Sequence, residues 1–132
     1  MLKLLMVVAN KENFSNFAQE LIKQKDVDLS WADSGQKALD MVFASPVDLV
    51  ITDENLKDMT GLELALRLLS VNPMVNCSAV SSLDAKQFHE VSEGLGVVSQ
   101  LPPKPGVKNA LELLMRIREL KNLTTSGSFH NT

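Results

Sequence analysis

Val47-Asp48-Leu49-Val50-Ile51-Thr52-Asp53 sets a carboxylate at the end of a short, almost wholly apolar run. A run of this length reads as a strand covered on both faces, as the strands of a parallel sheet are. In open α/β sheets, ligands bind in the crevice outside the carboxyl ends of the strands. Asp53 is thereby placed at the edge of the fold where chemistry is done. Aspartate also favours turns through bonds to its own backbone. This stretch alone leaves the reactive and the turn-forming readings evenly matched.

The flanking sequence repeats the pattern. Leu4 to Val8 reads as strand one, and Phe14, Phe17, Ala18, Leu21 and Ile22 recur at helical spacing. Val27, Leu29 and Trp31 alternate with polar residues, as in a half-buried strand near an edge. Ser34 caps a helix carrying Ala38, Leu39, Val42 and Phe43, which ends before Pro46. Thr60 and Glu63 form a capping box for a helix from Gly61 to about Ser70, broken at Asn72-Pro73. Val75 to Val80 is strand four. Ser82 or Asp84 caps a fourth helix through Phe88 and Val91, closed by Gly94 and Gly96. Val97 to Leu101 is strand five. A stiff Pro102-Pro103-Lys104-Pro105-Gly106 turn leads into a fifth helix with Val107, Leu111, Leu114, Met115 and Leu120. The amphipathic stripes and the six methionines are expected in the core. Residues 1–123 make one folded domain, and the small, polar residues 124–132 a flexible tail.

Five alternations of strand and helix predict an α/β fold, a doubly wound five-stranded parallel sheet with helices on both faces. The length of 132 residues suits one domain. A net charge of −3 supplies no basic field, which argues against nucleic-acid binding by this chain. A lone cysteine, Cys77, allows no internal disulfide and lies in an apolar stretch, as an inert buried thiol does. The apolar start is too short for a signal peptide, and no run suits a membrane span, so a cytoplasmic location is expected.

Three polar residues follow three strands: Asp53 after strand three, Ser81 after strand four and Lys104 after strand five. On one sheet edge a carboxylate, a hydroxyl and an ammonium suit phosphoryl transfer to the carboxylate. The other two would bind the phosphoryl oxygens. Singly, Ser81 reads as a helix starter and Lys104 as a solvated lysine. Jointly, at the ends of three strands, they favour chemistry.

At this point the sequence resembles the receiver domain of two-component response regulators, from Leu4 to about Leu120. The likeness rests on Leu49-Val50-Ile51-Thr52-Asp53, Met59-Thr60-Gly61-Leu62-Glu63-Leu64, Val80-Ser81-Ser82 and Lys104-Pro105. It implies a flavodoxin-like three-layer sandwich with strand order 2-1-3-4-5. It makes Asp53 the phosphoacceptor, Ser81 the switch hydroxyl and Lys104 the phosphoryl contact, with a cis bond before Pro105. It also implies a sensor histidine kinase or phosphotransfer protein as donor and a downstream effector. Homodimerisation through the face of helix four, strand five and helix five is common in such proteins.

The chain departs from that family after strand one, where two acidic residues usually hold Mg²⁺ with the phosphoacceptor. Ala9 and Asn10 stand there. Ala9 has no ligand atom, and Asn10 offers one neutral oxygen, a weak ligand for a hard cation. Asp53 and the backbone carbonyl of Asn55 remain, so Mg²⁺ binding should be weak or lost and phosphorylation slow. The direction of Glu54 is open. With fewer anions near it, Lys104 is expected to pair directly with Asp53. Strand five offers Ser99, Gln100 and Leu101 where an aromatic is usual, and Lys57 replaces a frequent proline. One extra residue falls near Gly94 to Gly96.

The leading expectation is a receiver that takes phosphate on Asp53. The alternative is a phosphorylation-independent receiver-like module that binds partners whatever the state of Asp53. A cofactor binder on the same sheet is disfavoured, because Ala9-Asn10-Lys11-Glu12-Asn13 has no phosphate-cradling glycine, serine or threonine. None of these makes the chain a conventional enzyme. His89 and His130 read as surface residues.

Overall fold

A computed structural model describes the backbone of residues 1–130 and the side chains of residues 1–122. In chain order the elements are β1 (Leu2–Val7), a 3₁₀ turn (Lys11–Phe14), α1 (Ser15–Ile22), β2 (Val27–Ala32), α2 (Gly35–Ala44) and β3 (Leu49–Thr52). There follow α3 (Gly61–Val71), β4 (Asn76–Val80), α4 (Ala85–Ser92), β5 (Val97–Leu101) and α5 (Val107–His130). Backbone helix therefore enters the stretch expected to be a tail. Residues 131 and 132, and the side chains beyond 122, including that of His130, lie outside the described residues.

The five strands form one parallel sheet in the order β2-β1-β3-β4-β5. Its centre is apolar on both faces because β1 and β3 alternate between two cores. Leu4, Met6 and Ile51 face Phe17, Leu21, Leu114 and Ile117 of α1 and α5. Leu5, Val7 and Val50 face Ala38, Val42, Leu64 and Leu68 of α2 and α3. Burying a side chain of this size contributes about 1.5–3 kcal/mol, so these two layers dominate stability. The first core also holds an edge-to-face pair, Phe14 and Phe17, with ring centroids 6.5 Å apart. Cys77 is buried under the second core, and burial pushes its thiol up to about 12.

The caps are local and follow the sequence. The hydroxyl of Ser34 accepts from Lys37 N–H at 3.1 Å, and that of Thr60 from Glu63 N–H at 3.1 Å. Asp84, not Ser82, caps α4, accepting from Gln87 N–H at 2.8 Å. Gly94 and Gly96, at φ of 80° and 70°, carry the chain out of α4 in the left-handed region.

Some apolar expectations fail by helix phase. In α1 the buried stripe is Phe14, Phe17, Ala18 and Leu21, and in α2 it is Gly35, Ala38, Leu39 and Val42. Ile22 and Phe43 each stand eight residues from the start of their stripe. That offset rotates them to its margin, and Phe43 is 82% exposed. In α5 the buried set is Ala110, Leu113, Leu114 and Ile117, so Val107, Leu111 and Met115 face outward. The methionines divide likewise. Met6 and Met59 are core and Met41 packs against it, but Met1, Met74 and Met115 are exposed.

Candidate functional site

Asp53 lies one residue past β3. Its N–H donates to Val7 O at 2.9 Å, so the ladder with β1 still holds it. The half-buried carboxylate turns onto its own chain, where Oδ1 accepts from Glu54 N–H at 2.7 Å. Burial raises the carboxyl above its ordinary 3.8. The Glu54 N–H works against that rise, and the negative charge of Glu54 adds to it. No cation contributes.

The loop after Asp53 folds back tightly. Gly61 N–H donates to Glu54 O at 3.0 Å, and Leu56 N–H to Met59 O at 2.9 Å. A Cβ on Gly61 would collide with the backbone oxygen of Asp53, so the start of α3 reaches the site only because residue 61 has no side chain. Asp58, in the same loop, caps α2 by accepting from Gly35 N–H at 2.9 Å and Gln36 N–H at 3.0 Å. Those two amides hold its carboxyl below the usual range. Lys57, at the place of the family's proline, pairs with exposed Asp33 at 3.4 Å.

Ser81 leaves the adjacent strand. Thr52 pairs with Ala79, so Asp53 and Glu54 run beside Val80 and Ser81. The buried Ser81 donates its N–H to Leu101 O at 3.0 Å and accepts from Leu83 N–H at 3.1 Å through Oγ. Its hydroxyl proton remains for another acceptor. Glu54 reaches across to the next residue, its Oε2 accepting from Ser82 N–H at 2.9 Å and from Ser82 Oγ at 3.1 Å. From the other side Gln100 donates to Ser81 O at 3.3 Å and Leu83 O at 2.7 Å. Glu54, Asn55, Thr60, Ser81 and Ser82 line one groove of about 420 Å³.

Lys104 stands apart. It lines a different groove with Glu12, Asn13 and Asn16, is exposed, and forms no ion pair with Asp53. The expected Lys104–Asp53 pair is thus corrected: the Asp53 carboxylate is engaged by its own neighbour, and a long exposed lysine gains little from such a pair. The expected cis bond at Pro105 is corrected too. The bond before Pro105, like every peptide bond among the described residues, is trans, the lower-energy form, and the turn is made instead by Lys104 at φ 53°. A left-handed non-glycine residue stores about 1–3 kcal/mol of strain, here held between two prolines.

Asp53 and the Asn55 carbonyl fit Mg²⁺ as two oxygen ligands, with one carboxylate oxygen of Asp53 unpaired among the described residues. Asn10 fits less well, because its Oδ1 caps the following 3₁₀ turn by accepting from Glu12 N–H at 3.0 Å. No cluster of three or more His, Cys, Asp or Glu suited to a metal occurs among the described residues. Mg²⁺ tolerates so sparse a set because it keeps several waters.

Sequence reasoning placed Asp53 and Ser81 correctly at neighbouring strand ends but missed the Glu54–Ser82 and Gln100–Leu83 contacts. An acid directly after Asp53, and an amide where an aromatic is usual, were the available signals.

The family model for the response regulator receiver domain matches residues 5–117. A response regulator receiver protein of Anaeromyxobacter sp. (strain Fw109-5) is 23% identical over 108 residues, 82% of this chain, which spans 45% of that protein's length. Among solved structures, the signal receiver domain of an HD domain-containing protein from Pseudomonas fluorescens Pf-5 superposes with a TM-score of 0.80. It is 19% identical, over 95% of this chain and 92% of that one. The chemotaxis response regulator CheY4 of Vibrio cholerae superposes with a TM-score of 0.76 at 20% identity, over 89% and 98% of the two chains. Identities this low speak for the shared fold.

Proposed function

The chain belongs to the response regulator receiver domain family of two-component signalling, and from that premise we propose that Asp53 accepts a phosphoryl group from a histidine kinase or phosphotransfer protein. The observation that carries this reading is the half-buried Asp53 carboxylate at the end of central strand β3, beside the Ser81 hydroxyl at the end of β4. In the transfer a carboxylate oxygen of Asp53 attacks phosphorus, the bond from phosphorus to the donor breaks, and the donor leaves with the electron pair. Ser81 donates its free hydroxyl proton to a phosphoryl oxygen. Lys104, on its strained turn after β5, swings over from its own groove to meet the added charge of about −1.5 to −2.

Asp53 and the Asn55 carbonyl would hold Mg²⁺, with water in the remaining places and Asn10 at most a weak addition. When bound, the ion would supply neutralisation of the negative charge that gathers at Asp53 during transfer. With two strong protein ligands in place of four, affinity falls and phosphorylation is slow. The chain acts as a cytoplasmic signalling component and not as a conventional enzyme, passing its state to an effector. Exposed Val91, Leu111 and Met115 suit the α4–β5–α5 face to a second copy.

Intact mass after incubation with acetyl phosphate, with and without Mg²⁺, tests this beside Asp53→Ala. A Mg²⁺-dependent phosphoryl adduct absent from the variant supports it. No adduct at any Mg²⁺ concentration, from folded protein, replaces it with the phosphorylation-independent interaction module.

A further inference from the structure

Two of the three donors that the loop after β4 offers to an anion on Asp53 are already in use. Past the paired ends of β3 and β4 that loop presents the Ser81 hydroxyl, the Ser82 N–H and the Ser82 hydroxyl. Glu54 Oε2 takes both Ser82 donors, at 2.9 and 3.1 Å. It does so from the residue next to Asp53, close enough for its negative charge to act on the Asp53 carboxyl. Gln100 restrains the loop from turning Ser82 away, because it holds the carbonyls of Ser81 and Leu83 on either side of that residue.

Resting on the reading of Asp53 as phosphoacceptor, we infer that Glu54 is an internal competitor for the anion seat and sets how fast Asp53 is phosphorylated. Its carboxylate stands in for the phosphoryl group on the β4–α4 loop, holding that loop closed before any transfer. For Asp53 to be phosphorylated, Glu54 must release Ser82 and swing into solvent, which its half-exposed position permits. Two hydrogen bonds to an ionised acceptor are lost in that motion, and they are among the stronger of their kind. Glu54 acts on the reaction through Ser82 and through its charge, so it is a positioning residue.

The test follows intact mass against time with acetyl phosphate and Mg²⁺ for the unaltered protein, Glu54→Ala, Glu54→Gln and the double variant Asp53→Ala/Glu54→Ala. Amide exchange at Ser82 is followed in the same proteins. Expected are a Ser82 amide that exchanges faster in Glu54→Ala and an initial rate of adduct formation raised by about tenfold. Glu54→Gln, which keeps an acceptor but loses the charge, falls between, and the double variant takes up nothing. A merely structural Glu54 would speed Ser82 exchange and leave the phosphorylation rate unchanged or lower. If all three Asp53-containing proteins form the adduct at one rate, the competitor role is wrong and the phosphoacceptor reading stands. If none forms it while folded, or the double variant does, both fall.

Discussion

Gln100 donates its side-chain amide to the carbonyl of Leu83 at 2.7 Å, and the same nitrogen reaches Ser81 O at 3.3 Å. An edge strand thereby holds the loop that follows the neighbouring strand. The contact makes no use of an aromatic ring and forms in the resting protein.

Replacing Gln100 with Ala should free that loop. Two carbonyls lose a donor at a partly exposed place where water can substitute, so the cost is about 1 kcal/mol. Urea unfolding reads that cost, and hydrogen exchange should show Ser82 and Leu83 opening faster than the β4 amides. Exchange unchanged at both residues would mean that Gln100 does not hold the loop.

Asp53 should weaken the fold at neutral pH. Its folded-state carboxyl lies above the ordinary 3.8, chiefly through burial. The favourable protonated contribution is complete below the unfolded value and disappears as pH rises through the folded one. Asp53→Asn keeps the acceptor for Glu54 N–H and removes the charge. It should melt higher than the unaltered protein at pH 7, by roughly 1–3 °C because solvent screens the charge of a half-buried group. The gap should close as pH falls toward 3.8. A lower melting temperature at pH 7 would contradict the assignment.

The strand ends were legible because strand length, helix caps and glycine positions are local signals, and Asp53 and Ser81 come with them. The sheet centre was legible for the same reason: Leu4 to Val7 and Leu49 to Ile51 are apolar at every place, which only a doubly covered strand tolerates. Helix phase was less so. Phe43 and Met115 are apolar, yet their burial depends on a rotation of a few tens of degrees that sequence does not fix. The reach of Glu54 to Ser82, and of Lys104 away from Asp53, depends on loop conformation, where no periodicity constrains the backbone.

Gly61→Ala should cost stability and disturb the site together. The added methyl collides with the Asp53 backbone oxygen and crowds the Thr52 side chain. A backbone neighbour cannot move aside as a flexible side chain does, so α3 must shift, at about 1–3 kcal/mol. Chemical denaturation gives the cost. Chemical-shift changes concentrated at residues 52–61 would locate it, whereas a variant as stable as the parent would show that the approach is looser than described.

Ser78 and Ser99 share a hydrogen bond of 2.7 Å between hydroxyls on β4 and β5, beside a shift in the register of the two strands. Their surroundings differ: Ser78 is fully buried, and Ser99 is partly open. Ser99→Ala strands a hydroxyl where no water reaches, which costs about 1–3 kcal/mol. Ser78→Ala leaves Ser99 able to find solvent and should cost less, about 0.5 kcal/mol. Removing both leaves no buried donor without a partner, so the double variant should be more stable than Ser99→Ala alone. Urea midpoints for the three variants decide this. Costs that simply add would mean that the two hydroxyls are satisfied independently of each other.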